Sequence, residues 1–132
     1  MKPSHFNVAK FMDVRNYFKA VELRGDSMLP VYNQGDWLLF RILQTPPRDL
    51  KTLKKLVGKV VLIRRLSEAG SDFLQVKRLT RIETQSTENA VARIWVEGDN
   101  KSNSTDSRTW GLLKDEEVIG KLQFRYRRAR KI

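Results

Sequence analysis

The residues of this chain with the greatest potential for chemistry lie in two short segments. Residues 25–30, Gly-Asp-Ser-Met-Leu-Pro, place Ser27 on a tight turn that follows a glycine. Residues 73–78, Phe-Leu-Gln-Val-Lys-Arg, place Lys77 near the end of an apolar run. A serine hydroxyl is a poor nucleophile until a neighbouring base removes its proton, and a neutral lysine amine can be that base. Together the two segments predict a serine nucleophile paired with a lysine base.

Lys77 can act as a base only if its amine is uncharged near neutral pH, which burial among apolar residues favours because it lowers the pKa. In a strand, Gln75 and Lys77 share one face, and Arg78 points to the other. The ordinary alternatives are a lysine on the solvent face of an edge strand and a serine in a common turn. Met28 is unexpected on a solvated turn and favours a position beside a cleft or a nonpolar surface.

A third segment is a polar loop, residues 98–108, with the sequence Gly-Asp-Asn-Lys-Ser-Asn-Ser-Thr-Asp-Ser-Arg. A solvated loop is the simplest interpretation of so many turn-forming residues. However, Trp95 and Trp110 anchor both ends in apolar surroundings. A polar loop held in this way is suited to orient a buried amine.

The composition excludes several classes of site. The 132 residues suit a single domain with one core. Cysteine is absent, so the chain has no disulfide, thiolate zinc site or cysteine nucleophile. The only histidine, His5, lies close to the terminus, where side chains are usually solvated. A histidine-rich metal site is excluded, and no metal or other cofactor is expected.

The formal net charge of +11 predicts attraction to anionic surfaces. Much of the excess lies in residues 125–131, which we interpret as a solvated basic tail. Contact with an anionic membrane is the next alternative. Binding of nucleic acid, through these cations and the rings of Phe124 and Tyr126, ranks third because no recognition motif accompanies the charge.

The N-terminal region, residues 1–19, is predicted to be an amphipathic helix. Phe11, Val14 and Phe18 follow the spacing of one helical face within residues 6–19. This helix would pack on the domain or lie on a bilayer. No segment reaches the roughly 18–20 apolar residues of a spanning helix, and a signal peptide's apolar core is missing. We therefore expect a cytoplasmic protein, with peripheral attachment to the inner membrane face as an alternative.

Residues 20–132 are predicted to form one β-domain that ends in the basic tail. Short apolar runs separated by turn residues predict a mainly β fold, an antiparallel sheet that curls into a small barrel or sandwich. Residues 45–56 are interpreted as a surface excursion with a helical turn. The predicted strands are residues 21–24, 36–42, 57–65, 73–82, 90–97 and 118–127.

The three segments together resemble the signal peptidase I family. Members carry a Ser-Met-x-Pro segment, a Lys-Arg segment and a Gly-Asp-Asn-x-x-x-Ser-x-Asp-Ser-Arg segment in this order. Here these are residues 27–30, 77–78 and 98–108, and residues 118–121 are similar to the family's closing strand. The resemblance covers roughly residues 20–124.

This resemblance implies a role for each matching residue. Ser27 would be the nucleophile and its backbone N–H an oxyanion donor, while Lys77 would be the general base and Ser104 would orient it. An extended substrate would lie beside residues 21–25 and 74–77, by strand addition. The implied supporting residues are Asp99, Asp106 and Arg108, and the implied substrate-binding residues are Gly25, Asp26, Met28 and Val76.

The resemblance also implies a fold and a substrate class. The fold is a small, partly open antiparallel β-barrel, which self-cleaving repressors share without the segment at residues 98–108. The sequence shows no membrane anchor and no large extra β-domain, and so looks like the nickel superoxide dismutase maturation proteases. The implied substrate is a precursor protein, with a nickel superoxide dismutase proenzyme as the best single guess. The alternative is a membrane-surface signal peptidase that acts on exported preproteins.

Overall fold

The computed structural model describes residues 8–14, 17–46, 48–66, 70, 72–84 and 92–130. In these ranges the chain is mainly β, as the sequence predicted. The strands are β1 (Val8–Val14), β2 (Phe18–Leu23), β3 (Trp37–Ile42), β4 (Val60–Leu66), β5 (Asp72–Thr84), β6 (Ala92–Glu97), β7 (Leu113–Lys114) and β8 (Val118–Arg127), and the α-helices are α1 (Leu50–Lys54) and α2 (Ser107–Trp110).

The strands form one antiparallel sheet in the order β1-β2-β3-β8-β4-β5-β6-β7. The last strand, β8, lies between β3 and β4 and so joins the two halves of the chain. Between β1 and β7, the two ends of the sheet, the described residues form no ladder, and β1 instead comes close to β5. The sheet is curled but not closed, which confirms the predicted partly open β fold.

The helix predicted over residues 6–19 is wrong in the part that the structure describes. β1 and β2 pair antiparallel, with Val8 opposite Leu23 and Val14 opposite Phe18. Val14 and Phe18 fit a helical spacing, but β-branched and aromatic residues also favour strands. Pairing with β2 supplies the backbone hydrogen bonds and decides the outcome. Residues 8–14 are therefore part of the sheet, while residues 1–7, including His5, lie outside the described residues.

The core lies on both faces of β4. Val61 and Ile63 belong to one buried cluster, and Val60 and Leu62 belong to the other. Lys77 of β5 lies directly opposite Val61, and directly opposed residues of antiparallel strands project to the same side. Its side chain is therefore enclosed by core residues and does not lie on a solvent face.

The closing strand β8 is fixed by a close approach and by an ion pair. A Cβ atom on Gly120 would lie 3.2 Å from Phe40 Cβ, so the glycine lets β3 approach closely. Further along β8, Arg125 Nη1 donates to Asp36 Oδ2 at 3.0 Å and to the Val31 carbonyl at 3.1 Å. Arg125 is therefore a structural residue. The sequence analysis had placed it in a solvated basic tail, and for this residue that interpretation is wrong.

The surface excursion before β4 contains the predicted helical turn, which is α1. Its first turn is capped by Asp49, whose Oδ1 accepts a hydrogen bond from the Thr52 amide at 2.7 Å. Among the described residues, no helix combines the length and the apolar character that crossing a bilayer requires.

Candidate active site

Ser27 lies in a compact turn directly after β2. Gly25 has a φ of +80°, a conformation that glycine adopts without strain, and its amide donates to Gln34 Oε1 at 2.8 Å. The Leu29 amide donates a hydrogen bond to the Asp26 carbonyl at 3.1 Å, which closes the turn. Ser27 itself is only 8% exposed. The turn therefore holds a mostly buried serine in a defined backbone geometry.

Lys77 is a buried amine that donates a hydrogen bond to a serine hydroxyl. The residue is 1% exposed, and its Nζ donates to Ser104 Oγ at 3.1 Å. Burial lowers the pKa of the Lys77 amine from 10.5 to about 8, and the Arg108 guanidinium adds to this effect while the Asp106 carboxylate opposes it. Such an amine is neutral in a useful fraction of molecules near neutral pH, as a general base requires.

Ser104 links Lys77 to the buried carboxylate of Asp106. Ser104 Oγ donates to Asp106 Oδ2 at 2.8 Å, so its lone pairs face the lysine. Asp106 also accepts from the Gly98 amide at 2.8 Å and from Arg108 Nε at 3.0 Å. Burial alone raises the pKa of Asp106, but the bonds from Arg108, Gly98 and Ser104 outweigh it and hold the pKa below its usual range. This carboxylate is ionised at neutral pH and orients Ser104 toward the amine.

The Ser27 turn and the polar loop meet at Gly98. A Cβ atom built on Gly98 would overlap Ser104 and would lie 2.7 Å from the Ser27 carbonyl oxygen. The same carbonyl accepts a hydrogen bond from the Asn100 amide at 2.9 Å, and Asn100 Nδ2 donates to the Asp26 carbonyl at 3.1 Å. The backbone of Ser27 and the side chain that binds Lys77 are therefore in one local structure.

Arg78 fixes the same loop from the opposite face of β5. Its Nε and Nη2 donate to the two carboxylate oxygens of Asp99, each at 2.8 Å, and its Nη1 donates to the Gly58 carbonyl. A bidentate pair of this kind restricts geometry as well as adding energy. Asp99 thus supports the site by holding the loop next to Lys77 without contacting the amine.

The structure brings together most of the residues that the sequence singled out. Lys77, Ser104, Asp106 and Arg108 form one hydrogen-bonded chain, and Ser27 meets it at Gly98.

Of the four implied substrate-binding residues, Gly25 and Asp26 lie at the surface of the turn. The other two are placed differently. Met28 and Val76 are completely buried in a core cluster. Their side chains anchor the turn and β5 in the core, and Val8 of β1 packs against the same cluster.

Two residues of the polar loop have roles that sequence reasoning did not assign. The hydroxyl of Ser107, which is buried, accepts a hydrogen bond from the Val96 amide at 2.9 Å and so attaches the loop to β6. Asn100 bridges this loop to the Ser27 turn. The only available signal was their position in the matching segment, because both bonds join residues that the fold brings together.

Gly98→Ala is expected to destabilise the protein by about 1–3 kcal/mol, because the added Cβ requires the Ser27 backbone or Ser104 to move. Gly120→Ala is the comparison variant: its Cβ would also be tight, but it meets neighbours no nearer than 3.2 Å, so the loss of stability should be smaller. Urea unfolding at pH 7 measures both. A Gly98→Ala protein as stable as the Gly120→Ala protein would show that the two loops do not meet closely at Gly98.

Comparison with known proteins finds similarity to one family over part of the chain. Residues 69–127 match the family model described as "Signal peptidase, peptidase S26", a range that contains Lys77 and the polar loop and begins after Ser27. Signal peptidase IB of Staphylococcus aureus strains N315, MW2 and COL is in each case 36% identical over 52 residues, 39% of this chain and 27% of the relative. The aligned part therefore spans about a quarter of the length of these curated relatives.

Proposed function

We propose that this chain is a serine endopeptidase in which Ser27 is the nucleophile and Lys77 is the general base. The observation that carries the proposal is the buried amine of Lys77, with a pKa of about 8, in a hydrogen-bonded chain that meets the Ser27 turn at Gly98. A solvated lysine would be almost fully charged at neutral pH and unable to accept a proton. The similarity of residues 69–127 to peptidase S26 supports this assignment.

The proposed reaction has two halves. Neutral Lys77 removes the Ser27 proton, the alkoxide attacks the scissile carbonyl, and protonated Lys77 then donates to the leaving amine. Water that has lost a proton to the same lysine then attacks the acyl group and frees Ser27. The Ser27 amide donates to the oxyanion, and Gly25 contributes no side-chain donor. Ser104 and Asp106 hold the amine in place throughout.

The proposed substrate is a precursor protein that loses an N-terminal segment. The turn sequence Arg-Gly-Asp-Ser-Met-Leu-Pro, residues 24–30, supports the nickel superoxide dismutase proenzyme as the best single guess. Such an enzyme would expose a metal-binding amino terminus by one cut. It would work in the cytoplasm, where that precursor is made.

The decisive experiment compares the wild-type chain with Ser27→Ala on two substrates. These are a nickel superoxide dismutase precursor and a fluorogenic decapeptide with Ala-x-Ala before the cleavable bond, the pattern of signal peptide cleavage sites. Wild type is expected to cut at least one substrate at a single bond, and Ser27→Ala is expected to cut neither. Cleavage by Ser27→Ala, or intact substrates after incubation with wild type, would refute the proposal.

The rate of cleavage is expected to fall as the pH is lowered. Below pH 8 the Lys77 amine is charged in most molecules, so kcat/KM should fall about tenfold for each pH unit. Above this pH it should level off, because the amine is then neutral. Initial rates between pH 5.5 and about 9.5 measure this acid limb. A flat profile over the range would mean that the base is not an amine of this pKa.

A second proposal concerns where in the cell the peptidase acts. An exposed aromatic patch favours binding to a membrane surface. Phe124 and Tyr126 of β8 are 55% and 46% exposed, and the Tyr126 ring lies 6.2 Å from the ring of Trp37. Exposed arginines that include Arg127 and Arg128 continue from this patch. Aromatic side chains and clustered cations are the groups that bind the interface of an anionic bilayer. The same peptidase would then act on exported preproteins at the inner membrane face.

Vesicle flotation distinguishes action in the cytoplasm from action at the inner membrane face. With phosphatidylglycerol and phosphatidylcholine vesicles at low salt, the wild-type chain is expected to float and Phe124→Ser/Tyr126→Ser to stay in solution. Val57→Ser removes an exposed apolar side chain elsewhere and should still float. Equal flotation of the double variant and the wild type, or no flotation of either, would leave the cytoplasmic proposal alone.

A further inference from the structure

The strand β1 lies beside both segments that lead to the proposed catalytic residues. It pairs with β2, which leads directly into the Ser27 turn, and it comes close to β5, which contains Lys77. In the ladder, Val8 lies opposite Leu23, at the end of β2 that leads to Ser27. An extended peptide that reached Ser27 by pairing with β2 would need this position.

The side chain of Val8 fills apolar space next to the site. It is partly buried and packs against the cluster that contains Leu23 and Met28 on the Ser27 side and Val76 on β5. A single apolar side chain inserted between the two catalytic segments is what an extended substrate would offer at the same point. Val8 thus stands where a substrate side chain would bind.

We infer that β1 is an autoinhibitory strand, and that a substrate segment binds by replacing β1 beside β2. This inference rests on the proposed function, because it assigns the binding position of the same site. β1 is the strand at one end of the sheet order, and end strands open more readily than central ones. The apparent affinity for a peptide is then the intrinsic affinity multiplied by the fraction of molecules in which β1 is undocked.

A reversible disulfide between β1 and β2 tests this replacement. Lys10 and Glu22 are partners in the ladder, directly after an irregularity in register between Val8 and Lys10. Paired residues of antiparallel strands have Cα separations that suit a disulfide, and the chain has no other cysteine. In a Ser27→Ala background, Lys10→Cys/Glu22→Cys should bind a labelled Ala-x-Ala decapeptide at least about tenfold more weakly when oxidised than when reduced. Fluorescence anisotropy measures the affinity.

The matched control joins two strands away from the site. Glu83 and Arg93 are also opposite each other, on β5 and β6, and the pair Glu83→Cys/Arg93→Cys removes the same charges. Its affinity for the peptide is expected to be the same in both redox states. The inference is overturned if the oxidised and reduced Lys10→Cys/Glu22→Cys proteins do not differ, whether both bind or neither does.

A second variant acts in the opposite direction. Val8→Asp, again with Ser27→Ala, should loosen β1 and bind the decapeptide more tightly, while Lys10→Gln makes the same change in net charge at an exposed position and should not. Weaker or equal binding by Val8→Asp counts against the inference. These measurements need no cleavage. A wild-type chain that cuts nothing therefore refutes the proposed function, whereas the disulfide comparison decides the role of β1.

Discussion

Lys77→Met is expected to reduce kcat/KM by about 10³-fold and at the same time to make the protein more stable. Methionine has a similar length and suits the apolar surroundings of this position, but it cannot accept the proton of Ser27. The buried amine is also costly to the fold, since its pKa is lowered from 10.5 to about 8. A shift of this size corresponds to roughly 3 kcal/mol.

The gain in stability of Lys77→Met over wild type is expected to depend on pH. A lowered pKa means that the charged amine is the form the fold disfavours, so the cost is fully present below pH 8. It disappears as the pH rises toward 10.5, where the amine is neutral in the unfolded chain as well. Urea unfolding should therefore show Lys77→Met to be more stable than wild type at pH 7, and the difference should shrink at higher pH.

Lys59→Met is the control for this variant, because Lys59 is exposed. Its loss removes the same charge and should change neither activity nor stability by much. If Lys77→Met retained cleavage, another base would have to be sought. If it were inactive because it had unfolded, the unfolding curves would show this at once, and the burial argument for Lys77 would be wrong.

Asp106→Asn is expected to lower the stability and to shift the acid limb of the pH profile to lower pH. The Asp106 carboxylate is completely buried and accepts hydrogen bonds from Gly98, Ser104 and Arg108. The amide of asparagine presents a donor where these donors converge, which costs about 2–3 kcal/mol. Because the carboxylate raises the pKa of Lys77, its neutralisation lets that pKa fall. The acid limb therefore moves below pH 8 in the variant.

These two effects have separate measurements. The pH dependence of kcat/KM reports on Lys77, and urea unfolding reports on the fold. Asp106 has a lowered pKa, so its contribution to stability is present above pH 3.8 and is lost as the pH falls through its folded-state pKa. Asp115→Asn, which breaks the Arg48–Asp115 ion pair elsewhere, should destabilise without moving the acid limb. An unmoved limb in Asp106→Asn would limit Asp106 to a structural role.

The fold class was readable from the sequence because most strands have local signals. Alternating apolar residues and turn residues placed β3, β4, β5, β6 and β8 close to their observed ranges. The same reasoning failed for residues 8–14, where aromatic and β-branched residues happen to repeat with a helical spacing. Only pairing with β2 distinguishes the two structures there. The two-residue strand β7 is too short to leave a pattern.

The sequence alone determined which residues have the right chemistry and the order in which they occur: Ser27 after a glycine turn, Lys77 in an apolar run, and the polar loop that contains Ser104 and Asp106. It could not determine that Lys77 is buried, because its neighbours along the chain are equally compatible with an exposed edge strand. Val61 on β4 and Ser104 on the loop enclose the amine, and both are distant in sequence. A pKa depends on the groups that surround an atom in space, and only the tertiary structure supplies them.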